Sequence, residues 1–142
     1  MPRVQLKPLG EYFFKAEIYV RTTDLNYGGH LGNDRVLALI HEARVAFLAS
    51  YQWTEMDCGG VSLIMGDSAI VYLNEAFAGD KLIFEVAAGE PSSCGFRLFN
   101  RITRAADDQP IALVENGMIC YDYHNRKITP LPDVVRSICR AE

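Results

Sequence analysis

Hydrophobic and polar positions change period along the chain, and the changes mark its elements. Residues 12–21 carry Phe13, Phe14, Ile18, Tyr19 and Val20 and predict a first strand. From Val36 onward the apolar residues take helical spacing. At 100° per residue, Val36, Leu37, Leu39, Ile40, Ala43, Phe47 and Leu48 form a very wide apolar face, with Arg35, Ala38 and Glu42 opposite. The helix is expected to start at Asn33 or Asp34, whose short side chains can accept N–H bonds of the first turn, and to end near Ser50. After Cys58-Gly59-Gly60 the pattern becomes strand-like. Residues 61–65 and 68–77 read as one long strand, bulged around Gly66-Asp67. Residues 81–86, 95–104 and 111–123 read as further strands, separated by turns at 78–80, 90–93 and 107–110.

Residues 1–10 are expected to be an irregular lead-in, and residues 133–140 a single helical segment after Pro130 and Pro132. Short turns between consecutive strands imply antiparallel neighbours, so the fold class is α+β: one antiparallel sheet and one long helix. A helix this apolar must be wrapped by the sheet or covered by a second subunit. Arg44 falls inside the apolar sector, where it snorkels, finds a carboxylate partner or makes a subunit contact.

Length and composition narrow the class. At 142 residues, one domain spanning 1–142 is the expectation. A net charge of -4, with no basic run, argues against nucleic acid as a partner. No stretch is apolar enough to span a membrane and the start has no signal-peptide core, so a cytoplasmic protein is expected. Cys58, Cys94, Cys120 and Cys139 show no paired or zinc-type spacing; free thiols and no metal site are expected.

The chemistry concentrates between the first strand and the helix, where Asp24, Asn26, Gly28, Gly29, His30, Gly32 and Asn33 crowd one turn. A helix start leaves N–H groups unpaired and carries the positive end of the dipole, so such a turn can hold a negative charge.

Four motifs in order then resemble those of one family. Val20-Arg21-x-x-Asp24-x-Asn26-x-x-Gly29-His30-x-x-Asn33 resembles its V-R-x-x-D-x-D-x-x-G-H-V-N-N turn. His41-Glu42-Ala43-Arg44 resembles the E-x-A-R of its central helix, Ala78-Gly79-Asp80-Lys81-Leu82 resembles its G-D-x-L, and residues 126–132 resemble its closing R-x-x-x-x-P. The family is the hotdog fold, and within it the 4-hydroxybenzoyl-CoA thioesterase-like acyl-CoA thioesterases. The resemblance covers about residues 15–132. It implies a sheet wrapped around the central helix, a homodimer or homotetramer, and a site between subunits with the thioester carbonyl near the helix start. It implies acyl-CoA hydrolysis without a cofactor, coenzyme A being part of the substrate. An acyl-carrier-protein thioesterase, a hydratase/dehydratase and a non-catalytic acyl-CoA-binding protein are the alternatives on the same fold.

Asn26 stands where many members have a catalytic Asp, and Gly32 replaces the first Asn of the usual pair. An amide cannot act as general base, so another group must activate water. His30 is the first candidate and Glu42 the second. Glu42 lies roughly 13 Å beyond Asn33 at 1.5 Å per residue, and would act from a second subunit. Asp24 orients His30 or caps turn amides; Asn26 positions water or shapes the turn. The N–H groups near Gly32 and Asn33 are the candidate oxyanion donors. Arg97 and Arg101 are candidates for coenzyme A phosphates, or else belong to a solvated sheet face. Asp67 is read as a bulge residue or part of an acyl pocket.

Overall fold

A computed structural model describes residues 1–141. Strand β1 (Phe14–Tyr19) passes through a 3-10 turn (Thr22–Asp24) into helix α1 (Asn33–Ala49). Strands β2 (Ser62–Tyr72), β3 (Lys81–Gly89), β4 (Gly95–Arg104) and β5 (Pro110–Asp122) follow. Short β6 (Lys127–Ile128), a helical turn α2 (Asp133–Arg136) and β7 (Cys139–Ala141) complete the described chain. The sheet order is β1-β3-β4-β5-β2, with β6 on β5 and β7 on β3. The five main strands pair antiparallel, as their short connections require.

Alternation decides which face of the sheet receives α1. On β4, Phe96, Leu98 and Ile102 join the core, while Arg97, Phe99, Arg101 and Thr103 point to the other side. Leu39, Ile40, Ala43, Phe47 and Leu48 of α1 meet Leu82, Phe84, Val86, Val114 and Met118 in that same core. The helix lies chiefly on β1 and β3. Strand β2, at the far edge, meets its start through the Tyr72 hydroxyl, which donates to the Asn33 carbonyl at 3.0 Å.

Three expectations need correction. The second strand stops at Tyr72 rather than Phe77, because the N–H groups of Leu73 and Asn74 both turn to the Ile111 carbonyl and the chain leaves the ladder. The third strand runs on to Gly89, since β4 pairs with it that far. The tail is helical only over Asp133–Arg136; beyond it, β7 fills the open edge of β3 past the end of β1, pairing in parallel at Ala88 and Gly89. On the helix, Leu37 and Val45 stay 38% and 48% exposed within one chain, the part the sheet leaves uncovered. The expected bulge is present between Met65 and Asp67. Glycine is needed there: a Cβ on Gly66 would stand 2.6 Å from Ile119 Cδ1.

Arg44 is buried and finds a carboxylate. Its Nε donates to Glu55 Oε1 at 2.9 Å, and the same oxygen takes His41 Nε2 at 3.1 Å. Arg44 Nη1 is buried with no acceptor among the described residues. The cysteines are free thiols. Burial pushes Cys58 up to about 12 and Cys120 and Cys139 up to about 11 from 9.0. Among the described residues, no helix is long and apolar enough to cross a membrane, and no group of His, Cys, Asp and Glu is placed to hold a metal.

Candidate active site

Asp24 anchors the turn between β1 and α1. Its side chain is buried, and Oδ2 accepts the Arg21 backbone N–H at 2.9 Å and the Arg21 Nε at 3.1 Å. The Arg21 guanidinium hydrogen bond, opposed by burial, holds this carboxyl below the usual carboxylate range. The Asp24 carbonyl accepts the Gly32 N–H at 2.9 Å. Asp24 therefore ties strand end, turn and helix start together, and no hydrogen bond joins it to His30. Of its two expected roles, the geometry shows the one that satisfies turn amides.

Asn26 closes the turn. Its Oδ1 accepts the N–H groups of Gly28 at 2.9 Å and His30 at 3.2 Å, while its own N–H donates to the His30 carbonyl at 2.8 Å. Gly29, at φ +78°, supplies the left-handed step this tight reversal needs. Asn26 itself is exposed.

His30 has a partner that the turn sequence alone did not reveal. Its Nδ1 lies 3.3 Å from Glu75 Oε1, and its ring meets Phe77 edge-on at 5.4 Å. Glu75 and Phe77 belong to the loop after β2, which is zipped to the turn by the Leu31 N–H donating to the Ala76 carbonyl at 2.8 Å. A proton on Nδ1 would face the Glu75 carboxylate and leave Nε2 as an acceptor. That tautomer is the one a general base requires.

The helix start is bare. Gly32 is the N-cap and has no side chain to bond the first turn. Its own N–H is occupied by Asp24, so it is not an oxyanion donor. The N–H groups of Asn33 and Asp34 have no acceptor among the described residues. They are the unpaired donors at the positive end of a helix of 17 residues.

The remaining candidates lie elsewhere. Glu42 is exposed on α1 and makes no ion pair with the described residues. Arg97 pairs with Asp67 at 2.9 Å and Glu115 at 3.4 Å on the outer face of the sheet. Arg101 pairs with Glu85 at 2.8 Å and stacks over Tyr12 at 4.8 Å. Both guanidinium groups thus already hold carboxylates, and the two residues sit across the sheet from α1. Asp67 is a bulge residue whose charge is answered by Arg97.

One antiparallel sheet of this order with one long helix packed across it is the hotdog architecture. The chain belongs to the Thioesterase-like superfamily, whose profile matches residues 20–138. It is similar to the 1,4-dihydroxy-2-naphthoyl-CoA hydrolase of Synechocystis, 24% identical over 127 residues that cover 87% of this chain and 91% of that protein. The crystal structure of a Synechocystis 1,4-dihydroxy-2-naphthoyl-CoA thioesterase aligns with a TM-score of 0.80 at 24% identity, covering 89% of this chain and 96% of the other. The probable thioesterase YbaW of Escherichia coli aligns with a TM-score of 0.77 at 23% identity, covering 90% and 100%.

Proposed function

We propose that the protein hydrolyses an acyl-CoA thioester, releasing a carboxylic acid and coenzyme A. One observation carries the reading: the N–H groups of Asn33 and Asp34 have no acceptor among the described residues, three and four residues after His30, whose Nδ1 lies 3.3 Å from Glu75 Oε1. The thioester carbonyl oxygen accepts from those N–H groups. His30 Nε2 takes a proton from water as the water oxygen bonds to the carbonyl carbon, and Glu75 holds the imidazolium that forms. The tetrahedral oxyanion is held by the same N–H groups. Collapse breaks the C–S bond, and the proton on His30 goes to the departing thiolate. No cofactor enters this scheme; coenzyme A arrives as part of the substrate. Two relatives carry names that specify 1,4-dihydroxy-2-naphthoyl-CoA and gentisyl-coenzyme A, and what they share is the coenzyme A thioester.

The working form in this proposal is a homodimer or homotetramer. Strand β2 is a free edge, and Met65, Tyr72 and Leu73 on and just after it are 40%, 45% and 42% exposed, as a second copy of the sheet would need. A second copy also offers the other candidate base, Glu42. Free thiols suit a reducing compartment, which supports a cytoplasmic setting.

A panel of short, long and aromatic acyl-CoA thioesters, read by free-thiol release, tests the proposal. Turnover of at least one class is expected; folded protein that releases no thiol from any of them defeats it. The engagement of Asn26 in the turn favours one second reading, a non-catalytic acyl-CoA-binding protein. Calorimetric binding of the same thioesters without turnover would select it.

A further inference from the structure

Strand β4 carries Arg97, Arg101 and Arg104, and alternation separates them. Arg97 and Arg101 point outward, whereas Arg104 lies opposite the buried Leu82 in the ladder and ends the helix-facing row of Phe96, Leu98 and Ile102. The Arg104 side chain is only 17% exposed, and its donors are directed. Its Nε donates to Asp107 Oδ1 at 3.1 Å, in the turn after β4. Its Nη1 donates to the Glu75 carbonyl at 3.0 Å and to Asp80 Oδ2 at 3.1 Å. Nη1 carries two hydrogens, one for each of these oxygens. Asp80 Oδ2 also accepts the Phe77 N–H at 2.9 Å. One guanidinium therefore holds the loop after β2 at two places, residue 75 directly and residue 77 through Asp80.

Both of those residues touch His30. Glu75 Oε1 lies 3.3 Å from His30 Nδ1, and the Phe77 ring meets the imidazole edge-on at 5.4 Å. The His30 and Glu75 side chains are 37% and 62% exposed, and a pair so open to water contributes little toward fixing its own geometry. Where the carboxylate sits depends on the backbone that carries it. The Ala76 carbonyl is held by the Leu31 N–H at 2.8 Å. The Glu75 carbonyl is held, among the described residues, by Arg104 alone. The loop is thus clamped between the turn before α1 and the end of β4, and the β4 side of the clamp is one side chain.

We propose that Arg104 is a positioning residue: by holding the Glu75 carbonyl and, through Asp80, the Phe77 N–H, it keeps the Glu75 carboxylate and the Phe77 ring against His30. Arg104 acts through the loop and touches neither substrate nor the reacting atoms. Its effect on turnover rests on the thioesterase reading in which His30 is the base; its effect on the His30–Glu75 pair does not.

The first arm of the test is kinetic, on the best thioester of the panel. Arg104→Met keeps the stem and removes the donors; kcat is expected to fall about 10–100-fold, with KM within about twofold of wild type. Arg104→Lys, which keeps donors for the Glu75 carbonyl and Asp80, should recover most of the loss. In a Glu75→Ala background no carboxylate remains to be placed, and Arg104→Met should cost less than about threefold. An equal loss in both backgrounds, or a change confined to KM, overturns the proposal. The second arm needs no turnover. Nitrogen NMR of the neutral imidazole at about pH 9 is expected to find the His30 proton on Nδ1 in wild type and in Arg104→Lys, and moved toward Nε2 in Arg104→Met. A tautomer unchanged by Arg104→Met, or a proton on Nε2 in wild type, also overturns it. Wild type that hydrolyses no thioester defeats the hydrolysis reading, and the tautomer then decides the placement by itself. Arg104→Gln replaces Arg104→Met in both arms if the latter does not fold.

Discussion

Asp24→Ala separates architecture from chemistry at the turn before α1. The carboxylate is 1% exposed, while the Arg21 side chain it pairs with is 67% exposed. The guanidinium regains water when its partner is lost, so the ion pair itself contributes at most about 1 kcal/mol. The Arg21 backbone N–H is different, because it is partly buried and Asp24 Oδ2 is its acceptor. Leaving such a donor unsatisfied costs about 1–3 kcal/mol. The two terms together predict a loss of about 1–4 kcal/mol for Asp24→Ala. Asp24→Asn keeps an acceptor oxygen for the N–H and should lose only about 1 kcal/mol. Urea unfolding at neutral pH, followed by Trp53 fluorescence and by circular dichroism, measures both. Asp24→Ala within about 0.5 kcal/mol of wild type, or Asp24→Asn as damaging as Asp24→Ala, would refute the reasoning. Acid provides an independent check. The folded carboxyl lies below its ordinary value of 3.8, so its contribution is present above that value and is lost as pH falls through the folded pKa. Wild type should therefore lose stability on acidification below about pH 4 by more than Asp24→Asn does.

Three further predictions follow from the same geometry. His30→Ala should lower kcat by about 10²–10⁴-fold, and Glu75→Gln by a smaller factor, because it removes the charge that holds the imidazolium but not the base; steady-state kinetics on the best thioester of the panel decides this, and full activity in His30→Ala would exclude it as the base. Asn26→Asp keeps the oxygen that accepts from Gly28 and His30, so stability should stay within about 0.5 kcal/mol while activity rises; a large loss of stability would show that the Asn26 NH2 group has a structural role. Alkaline unfolding tests the thiols: Cys58, Cys120 and Cys139 bind their protons more tightly when folded, so stability should fall as pH climbs from about 9 toward 11–12, and flat stability across that window would contradict their burial.

Much of this architecture was readable because it is written in short-range patterns. The wide apolar face of residues 36–48 could only be a buried helix, and alternation on 95–104 could only be a strand with one face on the core. Gly66 beside Asp67 marked a bulge, because a side chain there would strike Ile119. The Asp24 and Asn26 bonds were within reach for the same reason, as they bridge two to four residues. What stayed hidden depends on chain reversals over long separations. Glu75 reaches His30 only because the loop after β2 returns to the turn, and no local pattern marks a solvent-facing Glu as the partner of a distant His. The parallel pairing of Cys139–Ala141 depends on β1 being shorter than β3, which pattern alone does not specify. Arg97 and Arg101 looked free because their acceptors lie on neighbouring strands, Asp67 and Glu115 across one pair of ladders and Glu85 across another.

The central claim is that a thioester carbonyl docks on the bare start of α1 with His30 poised beside it. A crystal structure with a non-hydrolysable acyl-CoA ketone analogue, in which carbon replaces the thioester sulfur, measures this directly. The ketone oxygen is predicted at about 3 Å from the N–H of Asn33 or Asp34, with His30 Nε2 facing the carbonyl carbon through one water. A ketone oxygen bound away from both N–H groups, or His30 turned from the carbonyl with Glu75 still on Nδ1, would contradict the account.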